Sequence, residues 1–417
     1  MSKDTYEARV KRVETAIALG TPDRVPCLPL AQTYPMIHAG YTVAECIYDV
    51  DKGIDAFLRY MREYEPDQAP GMQFNNLGMG KVMELQASKT TTWAGAPDGR
   101  LDKNSIHQFI EFPILVEEDM ELFQRDYSGW LLQKAYPKMS RLLEPFATLP
   151  ISAMGQMGDM LWGSFFARPD VQEMIRTFAK IAELSAPINA KLAAAAKIMA
   201  DEGYPTFSGG MAGVPFDGYS DFLRGTLDSM VDLYDHRDLI ENYCKWTLEG
   251  TLRSIEMQGM NPASKNKWVF MALHKGMDTF LSDEDYKNLY WRDLQIIINK
   301  IIEVGMVPYI YTEGPYNTRL KYLADVPKGK VLYHFEEVDM KQAKKVLGDV
   351  ACISGGFPIF LLHFGKKQQV IDKIKELIDD CAPGGGFIFE TSAGFDDAPP
   401  ENVEAMFETV KTYGVYK

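Results

Sequence analysis

The chain is short of the features that mark metal-knuckle, secreted and nucleotide-binding proteins. It has five cysteines, at 27, 46, 244, 352 and 381, scattered and without a CxxC pair. An odd, dispersed set argues against a disulfide framework and against a cysteine zinc knuckle, and it fits a reducing, cytoplasmic setting. Positive charge is the scarcer sign: 44 Lys and Arg against 58 Asp and Glu leave a net charge of -14. That balance counts against nucleic acid as a partner and favours a partner with a basic contact face. No apolar run is long enough to span a bilayer, so no membrane association is expected. The nearest approach, IIINKIIEVGMVPYIY, is interrupted by Asn299, Lys300 and Glu303. The first twenty residues lack the apolar core of a signal peptide and read as an amphipathic helix. Neither GxGxxG at a strand-to-helix turn nor GxxxxGK[ST] occurs, which removes support for dinucleotide or nucleoside triphosphate binding.

What is present is a strand–helix rhythm, clearest from residue 268 onward. WVFMALHKG, GMVPYIYTE, KVLYHFEE, ACISGG and GGFIFET read as strands, with amphipathic helices such as QQVIDKIKELIDD and ENVEAMFETVKTY between or after them. Ser282 opens the longest of these helices with a Ser-x-x-Asp cap signal. The last two hundred residues alone supply about four βα units. The expectation is an α/β chain, a (β/α)8 TIM barrel with loop-rich insertions, forming a single domain over residues 1–417. The insertions are expected near 66–116 and 205–230, and long helices near 171–202 and 232–257. Residues 43–64 also read as helical. TPDRVPCLPLAQ, residues 21–32, reads as a turn followed by a short strand, with Pro26 and Pro29 arguing against a regular central strand over its whole length.

In such a barrel reactive groups collect at the C-terminal ends of the strands. Glu313 and His334 stand at or near those ends on consecutive strands. Together they could share a zinc ion, with the third ligand open among Glu336, Glu337, Cys352, Glu390 and His363. They could equally form a proton-transfer pair without metal, and His334 could simply be a satisfied polar residue at the mouth. His274 and Asp278 flank the HKGMD turn and are candidates for substrate binding, with an Asp-held loop as the plain alternative. Met154 and Trp162, with Met72, Phe74 and Trp93 among the other apolar residues of the loop-rich parts, could line a site for an apolar aromatic substrate or a flat cofactor. Ordinary core packing explains them equally well. Gly355 and Gly356 follow a strand and are the candidate cofactor contacts.

Four segments in order, TPDRVPCLPL, FLSDEDYKNLYWRDLQIIINKII, LLHFGKKQQVIDKIKELIDDCAPGGGFIF and DDAPPENVEAMFETV, resemble the uroporphyrinogen decarboxylase superfamily over nearly the full length. The resemblance implies a (β/α)8 barrel and one of two activities: decarboxylation of a porphyrinogen, or methyl transfer involving corrinoid proteins or thiols, commonly with zinc. No further basic cluster follows Arg24, where the decarboxylases bind a polycarboxylate. Tyr311, Glu313 and Ala393 stand where thiol-directed methyltransferases carry His, Cys and Cys. The branch that cleaves methyl ethers is closer, although Ile298 replaces a Glu expected there. This resemblance implies transfer of a methyl group from a methylated oxygen donor, an aryl methyl ether above all, to cob(I)alamin on a separate corrinoid protein. Glu313 and His334 would withdraw charge at the ether oxygen, and Tyr311 would orient the donor through its hydroxyl. A zinc-free reaction on another small molecule and a porphyrinogen-type decarboxylation are the alternatives. A homo-oligomer is compatible with all of them.

Overall fold

The computed structural model describes residues 4–71, 75–152 and 154–416. In chain order the strands are β1 (Thr91–Thr92), β2 (Gln108–Phe109), β3 (Ser208–Met211), β4 (Trp268–Leu273), β5 (Val307–Pro315), β6 (Leu332–Glu337), β7 (Cys352–Gly355) and β8 (Phe387–Ile388). β1 and β2 make a small antiparallel pair, and β3 to β8 lie side by side in sequence order as one parallel sheet. Two irregular segments complete the ring. Leu28 N donates to Phe389 O and Phe389 N to Pro26 O, which joins residues 25–31 to the β8 side. Asp67 N donates to Cys27 O and Ala69 N to Pro205 O, which sets residues 66–70 between residues 25–31 and the chain entering β3. The result is a distorted (β/α)8 barrel. Pro26 and Pro29 deprive the first segment of two ladder donors, which accounts for its irregular pairing.

The barrel interior is built in layers because side chains alternate along each strand. The lowest layer is apolar, with Leu28, Phe207, Trp268, Tyr309, Leu332, Cys352 and Ile388 packed against Val13, Ala16 and Ile17 of the helix Tyr6–Ile17. One step up, Phe270, Tyr311, His334, Ser354 and Glu390 follow on the same faces. A further step up, Glu313 and Glu336 reach the C-terminal mouth. The larger core lies between the strands and the surrounding helices.

The bottom is fastened by charge. Asp67 is fully buried and lies 2.7 Å from both Arg12 Nη1 and Arg24 Nη1, and it also accepts from Cys27 N. A carboxylate in such a place persists only when paired and hydrogen-bonded. The two irregular segments and the first helix are thereby tied at one point.

The helices expected near 171–202 and 232–257 are Pro169–Asp201 and Arg237–Gly259. The helical stretch 43–64 is broken into Val43–Tyr48 and Val50–Tyr64, because Asp49 adopts an extended conformation and caps the second piece. The stretch expected as an insertion near 205–230 contains barrel strand β3 and then the helical turns Pro215–Tyr219 and Ser220–Arg224. Its glycine-rich strand, SGGM, gave the sequence no strand signal. Residues 109–115 pack on the turns after β3: Ile114 N and Leu115 N both donate to Leu223 O, and the Phe109 and Phe222 rings meet at 5.3 Å.

Candidate functional site

Charged groups converge at the mouth where β4, β5 and β6 end. His274 follows β4. Its Nδ1 bonds Asp221 Oδ2 at 2.5 Å, and its Nε2 lies 3.9 Å from Glu313 Oε1. The hydrogen bond that Nδ1 donates to Asp221 is the main reason the His274 imidazolium is favoured, with its pKa raised to about 9. Lys275 Nζ sits 3.0 Å from the other Asp221 oxygen and 3.1 Å from Thr226 Oγ1. Burial pushes the Glu313 carboxyl upward, with nearby Glu336 adding to the shift and His274 opposing it. Glu336 Oε2 accepts from Gly314 N at 2.7 Å, so it also shapes the end of β5.

Beneath this cluster Asp217 holds the turn itself. Its oxygens accept from His274 N, Lys275 N and Tyr290 OH. Burial raises its pKa to about 6. Asp217 and Asp221 are four residues apart, so consecutive turns present both carboxylates to the same side. The second turn, Ser220–Arg224, is π-helical, a form frequent at functional sites. Asp217 grips the backbone at His274 and Asp221 grips the ring. Together they leave Nε2 as the nitrogen facing Glu313.

The other expected site residues fall in several places. His334 is fully buried one layer down, with Nδ1 2.9 Å from Glu390 Oε2 and Nε2 3.0 Å from Ser392 O. Tyr311 lies parallel to its ring at 4.5 Å. Glu313 therefore pairs with His274 rather than with His334. The Glu313 and His334 pair does not fit zinc, since both imidazole nitrogens are already committed to oxygen acceptors. Among the ligands left open, Glu390 is bound to His334, Cys352 lies in the apolar layer below, and Glu336 holds Gly314. Among the described residues no group of three or more His, Cys, Asp and Glu side chains is arranged to hold a metal ion. Asp278 spends its oxygens on Thr318 N and Oγ1 and braces the loop after β5. Gly355 and Gly356 have φ of +89° and +71°, and an added Cβ would meet Phe335 O and Met340 Cγ, each at 2.2 Å. Gly355 serves close backbone packing between β6 and β7, and Gly356 lies against the Met340 side chain.

Met154 and Trp162 do not join the mouth cluster. Met154 is 86% exposed, and Trp162 packs on a separate cluster containing Phe165, Val171 and Met174. Met72 and Phe74 lie outside the described residues. The insertion does form an open cavity of about 420 Å³, lined among the described residues by Asn76, Met83, Gln86, Trp93 and His107 with Ser88 and Thr91. Sequence reasoning missed Asp217 and Asp221. Their i, i+4 spacing was a usable signal, but they sit in a glycine-rich stretch that read as a loop.

Comparison with known proteins supports the fold. None of the curated proteins matches the sequence. A solved methyltransferase from Methanosarcina mazei superposes with a TM-score of 0.59 at 16% identity, covering 98% of this chain and 99% of that one. Such a likeness speaks for shared architecture. Among the described residues no helix is long and apolar enough to cross a membrane. Residues 145–413 match the family described as uroporphyrinogen decarboxylase (URO-D), well over half of the chain. The chain belongs to the uroporphyrinogen decarboxylase family.

Proposed function

We propose that the protein is a methyltransferase that removes a methyl group from a methylated oxygen donor, an aryl methyl ether in the simplest case, with His274 as the acid for the departing oxygen. The observation that carries this reading is the clamped imidazolium at the mouth. Asp221 occupies Nδ1, and Nε2 is left to offer its proton to a ligand. The reduced corrinoid of a separate docking protein supplies the nucleophile that takes the methyl group.

This chain's residues do the remaining work. An alkoxide or phenoxide is a poor leaving group unless its charge is stabilised as the bond breaks. A proton delivered from His274 Nε2 does that, and an aromatic ring on the donor spreads the charge that remains. Lys275 pairs with Asp221, and Asp221 keeps the imidazole charged until transfer. Glu313 draws Nε2 toward the mouth and can accept a hydrogen bond from a hydroxyl on the donor. Phe360 and Phe364, 60% and 87% exposed on the helix Ile359–Phe364 that follows β7, offer an apolar rim for the docking protein.

Porphyrinogen decarboxylation is the weaker reading. Asp217, Asp221, Glu313 and Glu336 outnumber His274 and Lys275 at the mouth, and a polycarboxylate needs the opposite balance. The test is a spectroscopic assay of methyl transfer to reduced corrinoid protein, with a panel of methoxyarenes. His274→Gln should lower the rate by roughly 10²–10⁴-fold, the usual worth of a positioned acid. An undiminished rate in that variant would remove His274 from the mechanism.

A further inference from the structure

We propose that the helix Thr226–Asp235 is a docking face for a partner protein that presents an apolar groove edged by lysine and arginine. The helix is turned inside out. Its buried residues are Ser229 and Asp232, whereas Leu227, Met230, Val231 and Tyr234 are exposed to 78%, 41%, 55% and 89%. These four stand at i, i+3, i+4 and i+7, so they form one stripe along a single face. A surface helix ordinarily turns such a stripe to the core. Here polar contacts hold the opposite side instead. Asp232 is fully buried, accepts from Arg224 Nε at 2.6 Å and Nη2 at 3.0 Å, and accepts from Tyr219 OH at 2.6 Å. Ser229 Oγ donates to Thr226 O. This fastening leaves the apolar stripe to solvent, and four large side chains in a row make a patch rather than scattered surface residues.

Place and charge identify the occupant. The helix begins at the mouth, where Thr226 Oγ1 accepts from Lys275 Nζ. Phe222, next to Asp221, is 46% exposed and meets the 45% exposed Phe109. With these two rings the apolar surface comes to roughly 600 Å², short of the ~800 Å² that each side of a stable complex buries, which suits a contact made and broken in each reaction cycle. Carboxylates edge the helix. Asp228 and Asp235 are exposed on it, Glu111 accepts from Thr226 N at one end, and Glu117 lies 3.7 Å from His236 Nε2 at the other. The neighbouring cations are committed: Arg224 to Asp232, and Arg237 to Glu241 and Asp285. A second copy docking through the same face would set carboxylate against carboxylate, whereas a basic rim meets them with opposite charge. β3 and β7 are four places apart in the eight-membered ring, so this face and the rim of Phe360 and Phe364 stand across the mouth from each other. One partner seated on both covers the opening. That this partner is the corrinoid protein rests on the methyl-transfer reading, whereas the docking face itself does not.

The test combines Leu227→Ser and Val231→Ser in one variant and begins with binding, which requires no turnover. Corrinoid protein in its unreactive cob(II)alamin form is offered to the parent and to the double variant by biolayer interferometry. The parent should bind, and the double variant should bind at least about tenfold more weakly. Equal binding by both, or none by the parent, would overturn the proposal. Methyl transfer to free cob(I)alamin should be the same in parent and variant, while transfer to the corrinoid protein falls. An equal loss with both acceptors would assign the helix to the reaction site and overturn the docking role. Light scattering should give one oligomeric state for both proteins, and a dimer that only the parent forms would give the face to a second copy instead. Asp228→Lys combined with Asp235→Lys should also weaken binding and reduce its dependence on salt. Binding unchanged by that reversal would overturn the basic partner. Absence of methyl transfer to either acceptor from every donor would overturn the proposed function and leave the binding answer standing.

Discussion

His274 owes its chemistry to Asp221, 53 residues earlier in the chain. Because the partner is a carboxylate, the folded imidazole titrates near 9 rather than near its ordinary value of about 6.5. The charged, acid-competent form is present below about 9, so transfer should decline as pH rises through that value. The stabilisation that the Asp221 contact gives the fold is complete below the unfolded value and is lost across the same interval. Asp221→Asn should bring the alkaline limb of the rate profile down toward the ordinary imidazole value, and an unmoved limb would show that another group sets it. His274 was legible in the sequence as a histidine just past a strand end. Its partner was not, since nothing local in GGMAGVPFDGYSDFLRG distinguishes a gripping carboxylate from a solvated one. His334 was legible as a strand residue, but its burial and its bond to Glu390 depend on strands that meet only in the closed barrel.

At the level of elements, the strands that announce themselves are those with apolar residues on both faces, as a parallel sheet demands. β4 to β8 were legible for that reason, and residues 25–31 were legible as a short strand that its prolines keep irregular. Residues 66–70 and the glycine-rich β3 were not, because loop-like composition and a lack of branched side chains hid their place in the ring. Two substitutions probe how the ring is held. Asp67→Ala would leave Arg12 and Arg24 buried without their shared carboxylate, and should cost about 3–5 kcal/mol in urea unfolding. A loss under 1 kcal/mol would mean that the bottom of the barrel is fastened elsewhere. Gly355→Ala must place a side chain at φ +89° with its Cβ 2.2 Å from Phe335 O. It should destabilise by roughly 3 kcal/mol, seen as a lowered Tm. An unchanged Tm would show that β6 and β7 can part there at little cost.

For the whole molecule, the net charge of -14 and the carboxylate-rich mouth set the terms on which a partner arrives. A docking protein with a basic face should associate about tenfold more slowly as salt rises from low to above physiological strength, measured by stopped flow. A flat response would assign docking to the apolar rim of Phe360 and Phe364 alone. The central claim, an acid-assisted methyl transfer at the barrel mouth, meets its most direct test in one experiment. Reduced corrinoid protein is mixed with a methoxyarene panel and with either the parent protein or His274→Gln, and the cob(I)alamin absorption is followed. The account predicts donor-dependent conversion to the methylated corrinoid with the parent, and a rate at least about 10²-fold lower with the variant. Conversion at equal rates in both, or none with any donor beside a corrinoid protein shown to be active, would contradict it.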